Sequence, residues 1–132
     1  MIVVDTSAWA EWLRQTGSKA DRRVRLLLGK PAELAVTEVI VMELLAGARS
    51  PRHLAELRSF FLRFRLLRLQ GLEGYEEAAR LFRLCRSGGE TLRKMTDCLV
   101  AVPAIQADAA VLHADRDFDV LARHTSLEVV EL

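Results

Sequence analysis

Residues 1–7 read MIVVDTS, and how they are read decides the fold class. Ile2, Val3 and Val4 are apolar, β-branched and uninterrupted, the pattern of a strand buried on both faces in a parallel sheet. Asp5 ends the run. A carboxylate at the carboxyl end of such a strand has two physical explanations. It caps the helix that follows, or it belongs to a site, because ligands bind at that edge of an open α/β sheet.

Outward from this stretch, strands and helices alternate. SAWAEWLR puts Trp9, Trp12 and Leu13 on one helical face with Gly17 as its stop, and a second helix is expected over 19–28. LAV at 34–36 is a short strand, Thr37 caps EVIVMELLAGA, and Ser50 and Pro51 cap and start a helix whose apolar face is Leu54, Leu57, Phe60, Phe61 and Phe64. A strand near 66–69 precedes a helix over 73–86 closed by Gly88 and Gly89. Thr96 then caps a helix reaching about residue 108, and AVLHAD, FDVLAR and LEVVEL supply a strand, a short helix and a last strand. Such alternation predicts an α/β fold with a central, mainly parallel sheet covered by helices on both faces.

At 132 residues, with 51% hydrophobic and 28% charged side chains and no repeat or linker, the sequence is expected to fold as one domain over 1–132. No apolar run approaches the length of a membrane span, and Asp5 interrupts any secretory pattern, so the expected location is cytoplasmic. Cys85 and Cys98 lack metal-ligand spacing and are read as reduced, buried thiols.

A net charge of +1 conceals an asymmetry: residues 49–94 hold ten Arg and one Lys against five Glu, whereas 95–132 hold seven acids against two Arg. A basic region suits a phosphate backbone and an acidic one suits metal ions, although solvated helix faces produce the same counts.

Five acids stand out. Asp5 ends the first strand, Asp97 follows Thr96, and Asp115 and Asp117 follow AVLH. Glu43 lies in a helix among Val39, Ile40, Val41, Met42, Leu44 and Leu45, where a carboxylate must find a partner or bear the cost of desolvation. Right-handed crossovers bring strand ends and helix starts to one edge, so four of the five are expected to converge there. Taken singly, each aspartate is better explained by a cap, a helix-dipole contact or a solvated turn than by a site.

In order and spacing, IVVDTS, TEVIVMELLAG, TDCLVA and LHADRDFD resemble the acidic motifs of PIN-domain ribonucleases, specifically the VapC toxins of bacterial toxin–antitoxin pairs. The likeness spans essentially the whole chain and rests on the ordered set of four. It implies a PIN-like three-layer α/β/α sandwich, dependence on Mg²⁺ or Mn²⁺, endonucleolytic RNA cleavage, and inhibition by a cognate VapB-type antitoxin. A homodimer within a larger toxin–antitoxin complex is implied as well. Carried over by position, the family's acids fall on Asp5, Glu43, Asp97 and Asp115, with Asp117 as the additional acid of the last motif. Thr6 and Ser7 match the small polar residues after the first aspartate. Cys98, directly after the third acid, is a departure that leaves the chemistry untouched.

The chemistry is consistent with this. Carboxylates held together repel unless a cation neutralises them, and oxygen-only ligands suit Mg²⁺ or Mn²⁺. Asp5, Asp97, Asp115 and Asp117 are the expected ligands, direct or through water, and Glu43 the orienter of a water or of a second, weaker ion. Two features are weighed against bland uses: His113 near the acidic loop is read as structural, and Trp9 and Trp12 as packing rather than base stacking. Arg58, Arg63, Arg65 and Arg68 are candidates to meet RNA phosphates or antitoxin side chains.

Other classes fit less well. A phosphate-accepting receiver domain needs a Lys at the end of a late strand, and none follows Lys94; an aspartyl phosphatase needs a second Asp where Ser7 stands. A PIN-like module that binds nucleic acid or protein without cutting is the alternative kept, and retention of all five acids argues against it.

Overall fold

The computed structural model describes residues 1–132. Five strands, β1 (Ile2–Val4), β2 (Leu34–Thr37), β3 (Arg65–Leu67), β4 (Ala110–Leu112) and β5 (Glu128–Val129), form one sheet in the order β3-β2-β1-β4-β5. Every pairing is parallel, with Val3 opposite Ala35 on one side and Val111 on the other. Val3, Val4 and all of β2 are buried, so the central strands carry unbroken apolar runs as expected for a doubly covered sheet.

Seven helices connect the strands: α1 (Thr6–Leu13), α2 (Lys19–Leu28), α3 (Glu38–Ala46), α4 (Pro51–Phe61), α5 (Gly71–Ser87), α6 (Thr96–Gln106) and α7 (Arg116–His124). Steps from β1 through β2 to β3 run one way along the sheet, and the steps to β4 and β5 run the other way. Right-handed crossovers therefore send α1–α4 to one face and α5–α7 to the opposite face. The helix pairs in contact agree, α1 with α2, α3 with α4, and α5, α6 and α7 with one another. The result is an α/β/α sandwich. Strand order reverses between β1 and β4, which opens a crevice at their carboxyl ends. No helix is long and apolar enough to cross a membrane.

Local chemistry explains most boundaries. Thr37 accepts the Ile40 amide at the start of α3, and Ser50 accepts that of His53 before Pro51. Thr96, expected as a cap, is instead the first residue of α6. Met95 holds the cap position in helical conformation with no side-chain bond, because the turn before it already donates Asp97 N–H to the Lys94 carbonyl. Helix α1 stops at Leu13, four residues short of Gly17, whose φ of +72° serves the turn beyond. Of the expected apolar face of α4, Leu54 is exposed while Phe61 and Phe64 are buried. The last strand is reduced to two residues of LEVVEL.

Trp9 is fully buried, edge-on to Phe61 at 4.9 Å, stacked on Phe64 at 5.7 Å and edge-on to Trp12 at 5.6 Å, so Trp9 packs as expected, and half-buried Trp12 packs against it and stacks on Phe60. The Trp9 indole N–H is buried without an acceptor. Trp9→Ala should therefore lower unfolding free energy by about 3–5 kcal/mol, while Trp9→Phe should lose clearly less because it keeps a ring and sheds the unpaired donor. Urea denaturation of both variants checks this.

Candidate active site

The acidic site is assembled at the crevice between β1 and β4. Beyond Val4 the backbone stays extended, and Asp5 donates its N–H to the Leu112 carbonyl at 2.9 Å, which carries the β1–β4 pairing up to the site. Its Oδ2 accepts the Ser7 amide at 2.9 Å and the Ser7 hydroxyl at 2.6 Å, so Asp5 does cap α1. The Ser7 hydroxyl in turn accepts the Ala114 amide at 3.0 Å, tying the loop after β4 to the one after β1. Thr6 donates to Glu43 Oε1 at 2.9 Å. That bond supplies the partner a half-buried carboxylate in α3 requires, and it links α3 to the strand end.

Asp115 caps α7 by accepting the Asp117 amide at 3.0 Å. Its own N–H is held by His113 Nδ1 at 3.1 Å, while His113 Nε2 lies 3.2 Å from Asp119 and its ring tilts against Phe118. His113 is thus a brace for the acidic loop, as expected of a structural histidine. Asp117 is 1% exposed, and its Oδ2 accepts the backbone amides of Arg93 and Lys94 at 2.9 and 3.0 Å. Asp97, in the first turn of α6, is 4% exposed.

Asp97, Asp115 and Asp117 each bring one carboxylate oxygen within 4.8 Å of the others. Asp5 and Glu43 stand outside this triplet, but Asp5 is close enough for its charge to act on Asp97. Burial first, then the charge of Asp5, pushes the Asp97 carboxyl up to about 8 against the pull of Lys94. Asp115 differs. Burial works to raise it too, but the Lys94 ammonium, the Asp117 amide and the Arg93 guanidinium outweigh burial and hold it below the usual carboxylate range.

Two basic side chains that the sequence reading passed over complete the site. Lys94 Nζ lies 2.7 Å from Asp115 Oδ2, and Arg93 reaches Asp115 at 3.3 Å and Asp117 at 3.5 Å. Their only signal in the sequence is adjacency to TDCLVA. Arg58, Arg63, Arg65 and Arg68 are exposed on α4, β3 and the segments that follow them, with Arg63 spread over the Phe60 ring at 4.7 Å.

Oxygens of Asp97 (Oδ2) and Asp117 (Oδ1) are buried without a hydrogen bond; Arg93 Nε is near the latter but not aligned to donate. Buried acceptors with nothing to accept are costly, and a hard cation satisfies them. The donors are all oxygens. Cys98, beside Asp97, is no competitor, since burial pushes its thiol up to about 12 and keeps it protonated. The residues therefore fit a divalent ion of the Mg²⁺ type better than zinc. Next to Asp115, a groove of about 650 Å³ runs between α7 and β5, walled by His113, Arg116, Asp119, Val129 and Val130.

The sequence pattern of the PIN domain matches residues 2–124. The chain belongs to the PIN domain family. Within it, the chain is 41% identical over 129 residues to ribonuclease VapC11 of Mycobacterium tuberculosis and to the VapC ribonuclease Mb1587 of Mycobacterium bovis, covering 97% of this chain and 96% of each relative. Among solved structures it superposes on VapBC2 from Rickettsia felis bound to a promoter DNA fragment, with a TM-score of 0.71, 18% identity and coverage of 100% of this chain and 99% of the other. That likeness is one of fold: the helix-covered parallel sheet expected from the alternation of elements, in the PIN-like sandwich that the resemblance implied.

The position of Asp97 in this PIN site has a pH signature. A raised carboxyl value means the folded chain keeps a proton that the unfolded chain releases near the ordinary aspartate value of 3.8, so the contribution of Asp97 to stability is greatest at low pH and is lost as pH rises toward about 8. In metal-free protein, the melting temperature of the parent should fall from about pH 5.5 to about pH 8 more steeply than that of Asp97→Asn. Parallel curves would show that Asp97 is ionised throughout.

Proposed function

We propose that this chain is the toxin of a type II toxin–antitoxin pair, a Mg²⁺- or Mn²⁺-dependent endoribonuclease acting as a single PIN-like domain over residues 1–132. The observation that carries the reading is the triplet Asp97, Asp115 and Asp117, two of them buried and each of those two with an unpartnered oxygen, at the β1/β4 crevice. The 41% identity to VapC ribonucleases supports the substrate class.

In this reading Asp5, Asp97, Asp115 and Asp117 hold the ion, directly or through water. A divalent cation bound there supplies Lewis acidity, lowering the pKa of a water and offsetting charge on the phosphate. The chain's own residues supply the positioning. The Ser7 hydroxyl fixes the Asp5 carboxylate between two loops, and His113 and the α7 amide fix Asp115. Thr6 holds Glu43 through one oxygen, which aims the carboxylate for orienting the attacking water. The groove beside Asp115 offers an apolar wall and polar groups on which a nucleotide next to the scissile phosphate can rest.

The partner follows the same logic. Leu13, Met42, Leu54 and Leu62 are exposed on or beside α1, α3 and α4, and offer apolar side chains to a partner on that layer. A VapB-type antitoxin covers part of that layer with an apolar helix and brings a basic side chain to the acids, and a homodimer lies within the larger complex. The likeness to the solved VapBC2 of Rickettsia felis supports a VapB-type partner. The cytoplasm is the compartment in which such a pair meets RNA.

Antitoxin-free protein should cut RNA with Mg²⁺ or Mn²⁺, stop in EDTA, and leave 5′-phosphate and 3′-hydroxyl ends, as attack by water requires; cyclic phosphate ends would point to the ribose 2′-OH and overturn the mechanism. Asp5→Asn keeps a capping oxygen and relieves repulsion, so without metal it should melt at or slightly above the parent temperature. Mn²⁺ should stabilise it less than the parent, and cleavage should fall about 100-fold or more. Retained cleavage would reduce Asp5 to a cap. Co-expression with the product of the adjacent reading frame should form a complex and relieve growth inhibition.

A further inference from the structure

The segment between α5 and α6, residues 88–95, has no regular structure, yet it is strapped to α7 along its length. Gly88 passes so close to the His124 ring that a Cβ there would collide with it. Glu90 accepts from Arg123 Nε at 2.9 Å and bonds His124 Nε2 at 2.9 Å. Leu92 is buried in the core, and the amides of Arg93 and Lys94 end on Asp117. Asp117, Arg123 and His124 all belong to α7, the helix that Asp115 caps. The backbone of Lys94 is therefore registered against Asp115 by one rigid element.

The two basic side chains so delivered are not equivalent. The Arg93 guanidinium is shared between Asp115 and Asp117. Lys94 pairs with Asp115 alone, its side chain is half exposed, and one carboxylate contact leaves further donors of its ammonium unused. A phosphodiester is an anion, and it must approach carboxylates that repel it. A single charge on a flexible stem can move a few ångströms with its backbone fixed, which a planar fork bound to two acids cannot do without breaking both contacts.

We infer that Lys94 is the built-in counter-cation of the acidic centre: it neutralises Asp115 in competition with the divalent ion and, once displaced, presents its ammonium to a non-bridging oxygen of the RNA phosphate. The second half rests on the ribonuclease reading above; the first half does not. Two ligands of like charge for one carboxylate bind each other out, so removing the ammonium strengthens the ion's hold while weakening the ion-free fold.

Lys94→Met, Lys94→Gln and Lys94→Arg are compared with the parent by melting in EDTA, by calorimetric Mn²⁺ titration and by cleavage of a short RNA. The Met and Gln variants should melt below the parent without metal and bind Mn²⁺ about tenfold more tightly, the order expected for removing one charge beside a carboxylate. Their kcat should fall about 100-fold with a smaller change in KM, and Lys94→Arg should recover part of it. Mn²⁺ affinity equal to or weaker than the parent's in the folded Met or Gln variant overturns the counter-cation. Tighter Mn²⁺ binding with parent-like cleavage overturns the phosphate contact. A parent that cuts no RNA with either metal sinks the ribonuclease reading and the phosphate contact with it, and the Mn²⁺ titration still decides the first half.

Discussion

Carboxylates crowded at one edge of a buried sheet repel each other, and most of the local structure around the crevice answers that repulsion. Asp5 and Asp115 sit at helix N-termini, where backbone N–H groups and the helix dipole favour negative charge. Asp117 takes two loop amides and Asp115 takes an ammonium. Asp97, in the first turn of α6, has the helix N-terminus and the Lys94 charge in its favour, but burial and the charge of Asp5 outweigh them and push its carboxyl up to about 8. Each acid is stabilised in a different way, and the oxygens left over are those a divalent cation would satisfy.

The same constraint explains the loop between α5 and α6. Had residues 88–95 been free, a Lys and an Arg would have been no more than part of the basic middle of the chain. Bound to α7 through Glu90 and through the amides that reach Asp117, they become fixed components of the acidic edge. Asp117 therefore does two things at once: one oxygen builds the loop and the other faces the cluster. A small part of the remaining basic excess is spent locally, Arg52 on Glu56 and Arg80 on Glu77, while Arg63 lies over an aromatic ring. Isolated exposed pairs of this kind contribute little to stability and carry no information about a partner.

Beneath the site, the core supplies rigidity rather than chemistry. The aromatic cluster of Trp9, Phe60, Phe61 and Phe64 joins α1 to α4 on one face, and the α5–α7 layer closes the other. Asp5 and Thr6 begin the helix that carries Trp9, so the packing of that face sets where the first acid and the Glu43 contact fall.

Sequence alone determined the α/β/α class and the parallel sheet, because these follow from short-range signals: unbroken apolar strands, and Ser, Thr and Pro at helix starts. It singled out five acids, of which the fold gathers Asp97, Asp115 and Asp117 into one cluster. It also placed Glu43 as a residue in need of a partner, but not the identity of that partner, since Thr6 lies 37 residues away. Helix ends were legible where a side chain made the cap and failed where the backbone did, as at Thr96, displaced by the preceding turn. Whether Asp5 was a cap or a site residue had no answer within seven residues; it caps α1, and only the meeting of β1 with β4 and α6 brings its charge to bear on Asp97. Lys94 and Arg93 were invisible as site residues for the same reason. Their charge is local to the sequence, but their position is decided by a loop folded onto a helix more than twenty residues downstream, and a linear pattern holds no record of that contact.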